Sequence, residues 1–117
     1  MQHEEICFAH THPELLQNVI DEMPDSAKMQ ELSDFFKVFG DMTRLRMLIM
    51  LSHGEFCVDD LSRALGLNQS VVSHALRVLK RFEFVRFRRV GKHTMYSIGD
   101  AHISGILTQG LEHIDGK

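Results

Sequence analysis

The hydrophobic pattern of this chain changes its period near residue 84, from that of a helix to that of a strand. Through Leu79, apolar residues recur every three or four positions, as they do along one face of an α-helix. Over residues 85–88 apolar and charged residues alternate, a turn follows at Val90-Gly91-Lys92, and a second strand pattern runs through Thr94–Ile98. We therefore predict a mainly α fold with one small β-hairpin.

Start and stop signals divide the helical part of the sequence into six helices. Asn, Asp and Ser are favoured as helix caps, Pro is favoured in a first turn, and Gly or Pro commonly follows a helix end. The first helix is bounded by Pro13 and Pro24, the second by Asp25 or Ser26 and Gly40, the third by Asp41 and Gly54, and the fourth by Cys57 and Gly66. Asn68 precedes the fifth helix and Asp100 precedes the sixth. We expect residues 1–24 to form an N-terminal arm with a short helix, and residues 25–117 to form the main domain.

The fourth and fifth helices are separated by the short turn Gly66-Leu67-Asn68, which is typical of a helix-turn-helix. The fifth helix begins with short polar residues whose side chains can read base edges in a major groove. The hairpin that follows is basic, so it can act as a wing that contacts phosphates. We therefore predict a winged helix-turn-helix that binds double-stranded DNA. The candidate DNA-binding residues are Gln69, Ser70, Ser73, His74, Arg77, Arg86, Arg88, Arg89 and Lys92.

Charge is distributed unevenly along the chain. The formal net charge of −3 argues by itself against a nucleic-acid partner. Residues 63–92, however, contain eight basic residues and one acidic residue, a local charge of +7, whereas residues 1–62 carry −8 and residues 93–117 carry −2. Because a polyanion responds to the local field at a surface, the basic block supports DNA binding.

The composition also bears on where the protein works. No run of about 18 apolar residues is present, so we expect no membrane span. The acidic N-terminus lacks the basic start of a signal peptide. Two cysteines do not make a disulfide framework, which favours a reducing compartment. We therefore expect a cytoplasmic protein.

Three sequence motifs resemble those of a known family. They are Phe39-Gly40-Asp41-Met42-Thr43-Arg44-Leu45-Arg46, Cys57-Val58-Asp59-Asp60-Leu61 and Gln69-Ser70-Val71-Val72-Ser73-His74-Ala75-Leu76. Over about residues 32–113 the chain resembles the ArsR/SmtB metal-sensing repressors. The resemblance implies a homodimer, joined through its N- and C-terminal helices, that binds a palindromic operator when metal-free and leaves it when metal binds. Asp41, Thr43 and Arg44 are expected to cap and pack helices.

The last predicted helix carries a candidate metal site. His102 and His113 are eleven residues apart, so they share a helix face but lie about 16 Å apart along the axis. An antiparallel copy of the helix would bring His102 to the partner's His113 and form two equal sites. With Asp100, these residues match the Asp-x-His plus His pattern of the family's zinc sensors. The family's fourth ligand falls on Gly116, which has no side chain. The candidate replacements are water, the terminal carboxylate, Glu112 and Asp115.

A second candidate set lies at the start of the fourth helix and in the N-terminal arm. Cys57 and Asp60 are three residues apart and share a helix face. The resemblance implies that these two positions can bind a second ion together with the partner's arm. Thiolate, imidazole and carboxylate ligands suit Zn²⁺ and also accept Cd²⁺, Co²⁺ or Ni²⁺. The candidate ligands of the arm are Cys7, His10 and His12.

Three other interpretations use the same residues differently. Cys7 and Cys57 could form a thiol switch that regulates a repressor of the same fold by oxidation. A zinc hydrolase would also use a set of one Asp and two His residues. No general base is evident beside this set, however, and the chain leaves little room for a substrate pocket. We therefore expect that the protein is not an enzyme and has no small-molecule substrate. A DNA-binding module without a sensing function would leave the histidines as surface residues. Neither the physiological metal nor the operator follows from the sequence.

Overall fold

The computed structural model describes residues 12–116, and it has the predicted fold class, mainly α with one β-hairpin. The elements in chain order are α1 (Pro13–Glu22), α2 (Ser26–Phe39), α3 (Met42–Leu51), α4 (Val58–Leu65), α5 (Gln69–Arg81), β1 (Val85–Val90), β2 (His93–Ile98) and α6 (Ala101–Ile114). The two strands are antiparallel, from Val85 opposite Ile98 to Val90 opposite His93. No helix in this part of the chain is long and apolar enough to cross a membrane.

Side-chain caps hold the helix starts at the predicted residues. The Asp41 carboxylate accepts a hydrogen bond from the backbone N–H of Arg44 at 3.0 Å, and the Asn68 side chain accepts one from the N–H of Val71 at 2.9 Å. These bonds satisfy N–H groups that have no partner within their own helix. Arg44 also donates from Nε to the carbonyl of Val38 at 3.1 Å, close to the end of α2. The structural roles expected for Asp41 and Arg44 are confirmed.

The chain divides into two compact units, Met1–Ser33 and Asp34–Lys117, and the boundary lies within α2. In the described part of the first unit, α1 buries none of its side chains. Its large apolar side chains are exposed, namely Leu15, Leu16, Val19 and Ile20, and so is Met23 directly after the helix. A helix gains most of its stability by burying an apolar face, so the exposed face of α1 is suited to a contact with another surface.

The hydrophobic core of the described residues lies in the second unit. Phe84 is fully buried, and its ring centroid lies 4.8 Å from that of Phe39 and 5.1 Å from that of Phe35. Helices α2 to α6 and strand β1 all contribute to this core, which fixes the hairpin against the helices. The buried core residues are Val38, Met47, Leu48, Leu51, Leu61, Val72, Ala75, Leu76, Leu79, Phe84, Val85, Ile103 and Leu107.

The junction between α5 and the hairpin contains a left-handed residue that is not glycine. Glu83 has a φ of 63°, and its N–H donates to the carbonyl of Lys80 at 3.0 Å. The N–H of Phe84 donates to the carbonyl of Leu79 at 2.9 Å, which completes the paired bonds of a Schellman motif. Leu79 and Phe84 are both fully buried and supply the hydrophobic contact that accompanies this motif. Since glycine usually fills the left-handed position, the sequence pattern left this helix end undefined.

A second close junction lies at the end of β2. The N–H of Gly99 donates to the carbonyl of Phe84 at 2.8 Å. A Cβ atom at Gly99 would lie 2.4 Å from the carbonyl oxygen of Glu83, so only glycine allows this approach. The end of the hairpin therefore contacts the end of α5 directly, and α6 begins immediately afterwards.

Candidate functional site

The helix-turn-helix places the start of α5 at the surface. Helix α4 is closed by Gly66, whose φ of 67° is left-handed, and Asn68 then caps α5. Val72 and Leu76 are buried and anchor α5 in the core, which leaves the opposite face of the helix to solvent. The predicted DNA-reading residues follow this division. Gln69, Ser70, His74 and Arg77 are exposed, and Ser73 is half-buried.

Two of the predicted DNA-binding residues are held by carboxylates. Gln69 donates from Nε2 to Asp59 at 3.2 Å, and Asp59 also pairs with Arg63 at 2.9 Å. Arg88 donates from Nε and Nη2 to the two carboxylate oxygens of Glu55, at 2.8 and 2.6 Å. These hydrogen bonds, with the attraction between the two charges, hold the pKa of Glu55 below its ordinary value and raise the pKa of Arg88. Sequence reasoning missed Glu55, because only the fold brings it to a residue 33 positions away.

The other basic residues of the hairpin differ in how they are held. Arg89 donates to the Thr94 hydroxyl at 3.2 Å, and Arg86 donates to the backbone carbonyl of Gly99. Lys92 is exposed at the turn and has no ion-pair partner in the described part of the chain. The charge at the hairpin tip is therefore available to a phosphate.

His102 and His113 lie at opposite ends of one open groove along α6, which has a volume of about 650 Å³. A Cβ atom at Gly105 or at Gly110 would meet no atom within 4 Å, so these glycines leave the middle of the groove open. The structure thus places the two histidines on one face of α6. The groove is lined by Ala101, His102, Gly105, Ile106, Gln109, Gly110 and His113.

Asp100 combines a structural contact with a free ligand atom. Its Oδ1 accepts hydrogen bonds from the N–H groups of His102 and Ile103, at 2.8 and 3.3 Å, and caps α6. Its Oδ2 has no hydrogen bond among the described residues and remains available to an ion. The side chain of His102 is 91 % exposed, and its Nδ1 lies 3.4 Å from Asp100 Oδ1. In residues 12–116 of one chain, no group of three or more His, Cys, Asp or Glu is placed to hold a metal.

The second candidate set is only partly described. The backbone N–H of Cys57 donates to Asp60 Oδ2 at 3.2 Å, so these two residues lie together at the start of α4. Cys57 is a half-buried free thiol. His12 precedes α1 and belongs to the other unit, while Cys7 and His10 lie outside the described residues. This set of ligands stays a prediction.

Comparison with known proteins identifies the family of this chain. Residues 41–86 match the family model described as "Bacterial regulatory protein, arsR family". The chain is also similar to a transcriptional repressor SmtB homolog from Synechocystis sp., with 34 % identity over 88 % of this chain and 78 % of the relative. The matched residues run from the cap of α3 to the start of β1.

Solved structures support the same assignment. The crystal structure of the AntR antimony-specific transcriptional repressor has a TM-score of 0.72 and 34 % identity, and the match covers 81 % of this chain and 86 % of that one. The homodimeric winged helix-turn-helix DNA-binding domain Mb0332 from Mycobacterium bovis has a TM-score of 0.71 and 25 % identity, over 80 % of this chain and 88 % of that one. The chain belongs to the ArsR/SmtB family of metal-sensing transcriptional repressors.

Proposed function

We propose that this protein is a homodimeric repressor that binds a palindromic operator when metal-free and releases it when zinc, or Cd²⁺ or Co²⁺ in its place, binds. The observation that carries the proposal is the pair of histidines, His102 and His113, at the two ends of one open groove. Eleven residues of helix separate them by about 16 Å, so one copy cannot bring both to one ion. A two-fold axis across the groove would bring His102 to His113 of the partner subunit and create two equal sites.

The side chains at this groove fit a zinc ion. Imidazole nitrogen and carboxylate oxygen are both common zinc ligands, and zinc is usually four-coordinate. Asp100 can offer Oδ2 while Oδ1 keeps its place in the cap of α6. The fourth position is open to water, or to Glu112 or Asp115, which are both exposed near the end of α6. The same donor atoms accept Cd²⁺, Co²⁺ and Ni²⁺, so the metal preference has to be measured.

The operator-binding part of the proposal rests on α5 and the hairpin. The exposed start of α5 would enter a major groove, with Gln69, Ser70 and His74 near the base edges. Two copies related by a two-fold axis would meet two half-sites about 34–36 Å apart, which is why the operator should be palindromic. The basic residues at 63–92 supply the attraction to phosphates.

Metal and operator would oppose each other through the separation of the two copies of α5. Ligands that join two copies of α6 favour one separation of the subunits, and the operator favours another. The coupling must be reciprocal, so bound operator weakens metal binding by the same factor. In proteins such coupling typically amounts to about 5- to 150-fold.

The test is a zinc titration of the protein–operator complex, with an operator selected by the metal-free protein from random duplexes. We expect zinc to weaken operator binding by roughly 10- to 100-fold. Asp100→Asn is the most informative variant, because Asn caps a helix as well as Asp does but lacks the carboxylate charge. Asp100→Asn, His102→Ala and His113→Ala should bind operator normally and lose the response to zinc.

Variants of the second set serve as matched controls. Cys57→Ser and Asp60→Asn should keep the response to zinc, and a response that is lost in Cys57→Ser but kept in His102→Ala would move the regulatory site to α4. Operator affinity that stays constant while zinc is shown to be bound contradicts the proposal. A response to oxidant that disappears in the double variant Cys7→Ser/Cys57→Ser would favour the thiol switch instead.

A further inference from the structure

A polar cavity of about 170 Å³ lies between α5 and β2, and it begins one turn along α5. It is lined by Ser73, Leu76, Arg77, Lys80 and Tyr96. Its volume corresponds to on the order of five water molecules, which leaves room for a phosphate group. Leu76 is buried. The other four residues each bring a hydroxyl or a cation to the cavity.

The spacing of the helical residues explains why they meet in one place. Ser73, Arg77 and Lys80 are four and three residues apart, so they follow one another along a single stripe of α5. Tyr96 belongs to β2 and faces this stripe across the cavity. Its ring is half-buried, and its backbone pairs with Phe56, so the strand is held at this point.

The two cations of the cavity are not neutralised by carboxylates. Elsewhere in the basic block, Arg63 and Arg88 each pair with a carboxylate. Neither Arg77 nor Lys80 has an ion-pair partner in residues 12–116. Both side chains therefore keep their positive charge for an anion, and the cavity brings the two charges together.

Lys80 is also oriented by the hairpin. Its Nζ lies 4.6 Å from the ring centroid of Phe87, a cation–π contact. The Phe87 ring lies 6.1 Å from the ring of Tyr96, so two aromatic residues of the hairpin stand beside the ammonium group. An ammonium held in place before an anion arrives loses less conformational entropy on binding it.

We infer that this cavity binds one phosphate of the DNA backbone. Arg77 and Lys80 supply the positive charge, and the hydroxyls of Ser73 and Tyr96 donate hydrogen bonds to the non-bridging oxygens. The inference rests on the proposed function, since α5 has to lie on DNA for a phosphate to reach the cavity. It adds Tyr96, which the sequence did not indicate, it assigns Lys80 of the basic block to the same phosphate, and it places the hairpin beside the DNA backbone.

The experiment combines protein variants with chemically neutralised phosphates. The wild-type protein first selects a duplex from a random pool, and binding is then measured on a set of duplexes that each carry one neutral methylphosphonate. At one backbone position we expect the methylphosphonate to weaken wild-type binding at least about fivefold but to have little further effect on Lys80→Gln. Lys80→Gln should also lower the slope of log K against log [salt] by about 0.9 for each bound copy.

Two further variants distinguish the effects of the hydroxyl and of the positive charge on DNA binding from a general loss of stability. Tyr96→Phe keeps the ring and should weaken binding roughly two- to tenfold, as expected for the loss of one hydrogen bond, without changing the denaturation midpoint. Lys37→Gln removes a charge that is paired with Asp34 on α2 and should leave the salt slope unchanged.

The outcomes distinguish this inference from the function on which it rests. If the protein selects a duplex but the effect of Lys80→Gln depends on no methylphosphonate position, the inference is overturned and the repressor proposal stays intact. Failure to select any duplex overturns both. Tight binding of inorganic phosphate, seen as shifts of the Ser73 and Tyr96 NMR signals and without coupling to any DNA position, would assign the cavity to a free anion and also overturn the inference.

Discussion

The sequence suggested that Arg88 offers an unpaired positive charge on the basic hairpin, but the structure pairs this charge with a carboxylate. The alternation of β1 predicted an exposed arginine, and Arg88 is indeed on the strand. Its guanidinium, however, makes two hydrogen bonds to Glu55, so its charge is already paired. Nη1 still has free N–H groups, but the negative charge of Glu55 offsets the attraction that Arg88 would exert on a phosphate. We therefore expect Arg88→Gln to reduce DNA affinity less than Arg77→Gln does.

The Glu55–Arg88 pair gives a direct prediction for pH titration. Glu55 should titrate below its ordinary pKa of 4.5 in the wild-type protein, and it should return toward that value in Arg88→Met. Because the pKa is lower in the folded state, the stabilisation from Glu55 is present above the unfolded pKa and is lost as the pH falls through the folded value. NMR of the Glu55 side-chain carboxyl carbon measures both midpoints, and equal midpoints in the two proteins would contradict the pair.

Two helix ends use the same left-handed backbone with different residues. Gly66 closes α4 with a φ of 67°, and Glu83 closes α5 with a φ of 63°. A side chain at such a position costs about 1–2 kcal/mol, which glycine avoids. At Glu83 the buried contact of Phe84 with the core outweighs this cost. The helix end is thus set by packing rather than by its local residue.

Substitutions at these two positions should change stability in opposite directions. We expect Gly66→Ala to lower the free energy of unfolding by about 1 kcal/mol, because it introduces a Cβ atom into the left-handed region. Glu83→Gly should stabilise the protein by up to about 1 kcal/mol, since the relief of strain exceeds the added entropy of the unfolded chain. Chemical denaturation measures both. The control Glu83→Ala should be close to neutral, and a gain in Glu83→Ala equal to that in Glu83→Gly would contradict the backbone explanation.

The second unit as a whole leaves apolar surface uncovered along α6. Phe36, Leu111 and Ile114 are 52, 50 and 80 % exposed, and they line a groove of about 310 Å³. Exposed apolar area of this kind is unfavourable in water and is common at protein interfaces. It lies beside the groove that holds His102 and His113, because Ile106 and Gly110 line both. Both features support a dimer that forms through α6.

The glycines of α6 provide a test of this dimer. In one chain, Gly105→Ala and Gly110→Ala meet no neighbouring atom and should stabilise the helix, by up to about 1 kcal/mol each. If two copies of α6 pack closely, the double variant should nevertheless raise the dimer dissociation constant at least about tenfold, which is about 1.4 kcal/mol. Sedimentation equilibrium measures the constant. Thr108→Ala, which lines neither groove, is the control, and a dimer as tight as the wild type in the double variant would contradict close packing.

Local signals predicted the fold well and the contacts of the site poorly. The caps at Asp41 and Asn68 and the alternation of β1 are encoded within a few neighbouring residues, so they could be read directly. The Glu55–Arg88 pair and the cavity at Tyr96 join residues that are distant in sequence, and no spacing rule brings them together. The metal ligands were proposed from helical periodicity and family resemblance, and the proposed site would draw ligands from a second copy of the chain.

The close approach at Gly99 has a consequence for how such a repressor can change state. Its backbone lies directly against the carbonyl of Glu83, so the end of the hairpin is packed against the end of α5 without a gap. Helix α5 and the hairpin should then move together as one rigid piece. Under the proposed function, we then expect the operator-bound and the released state to differ mainly in the relative orientation of the two subunits.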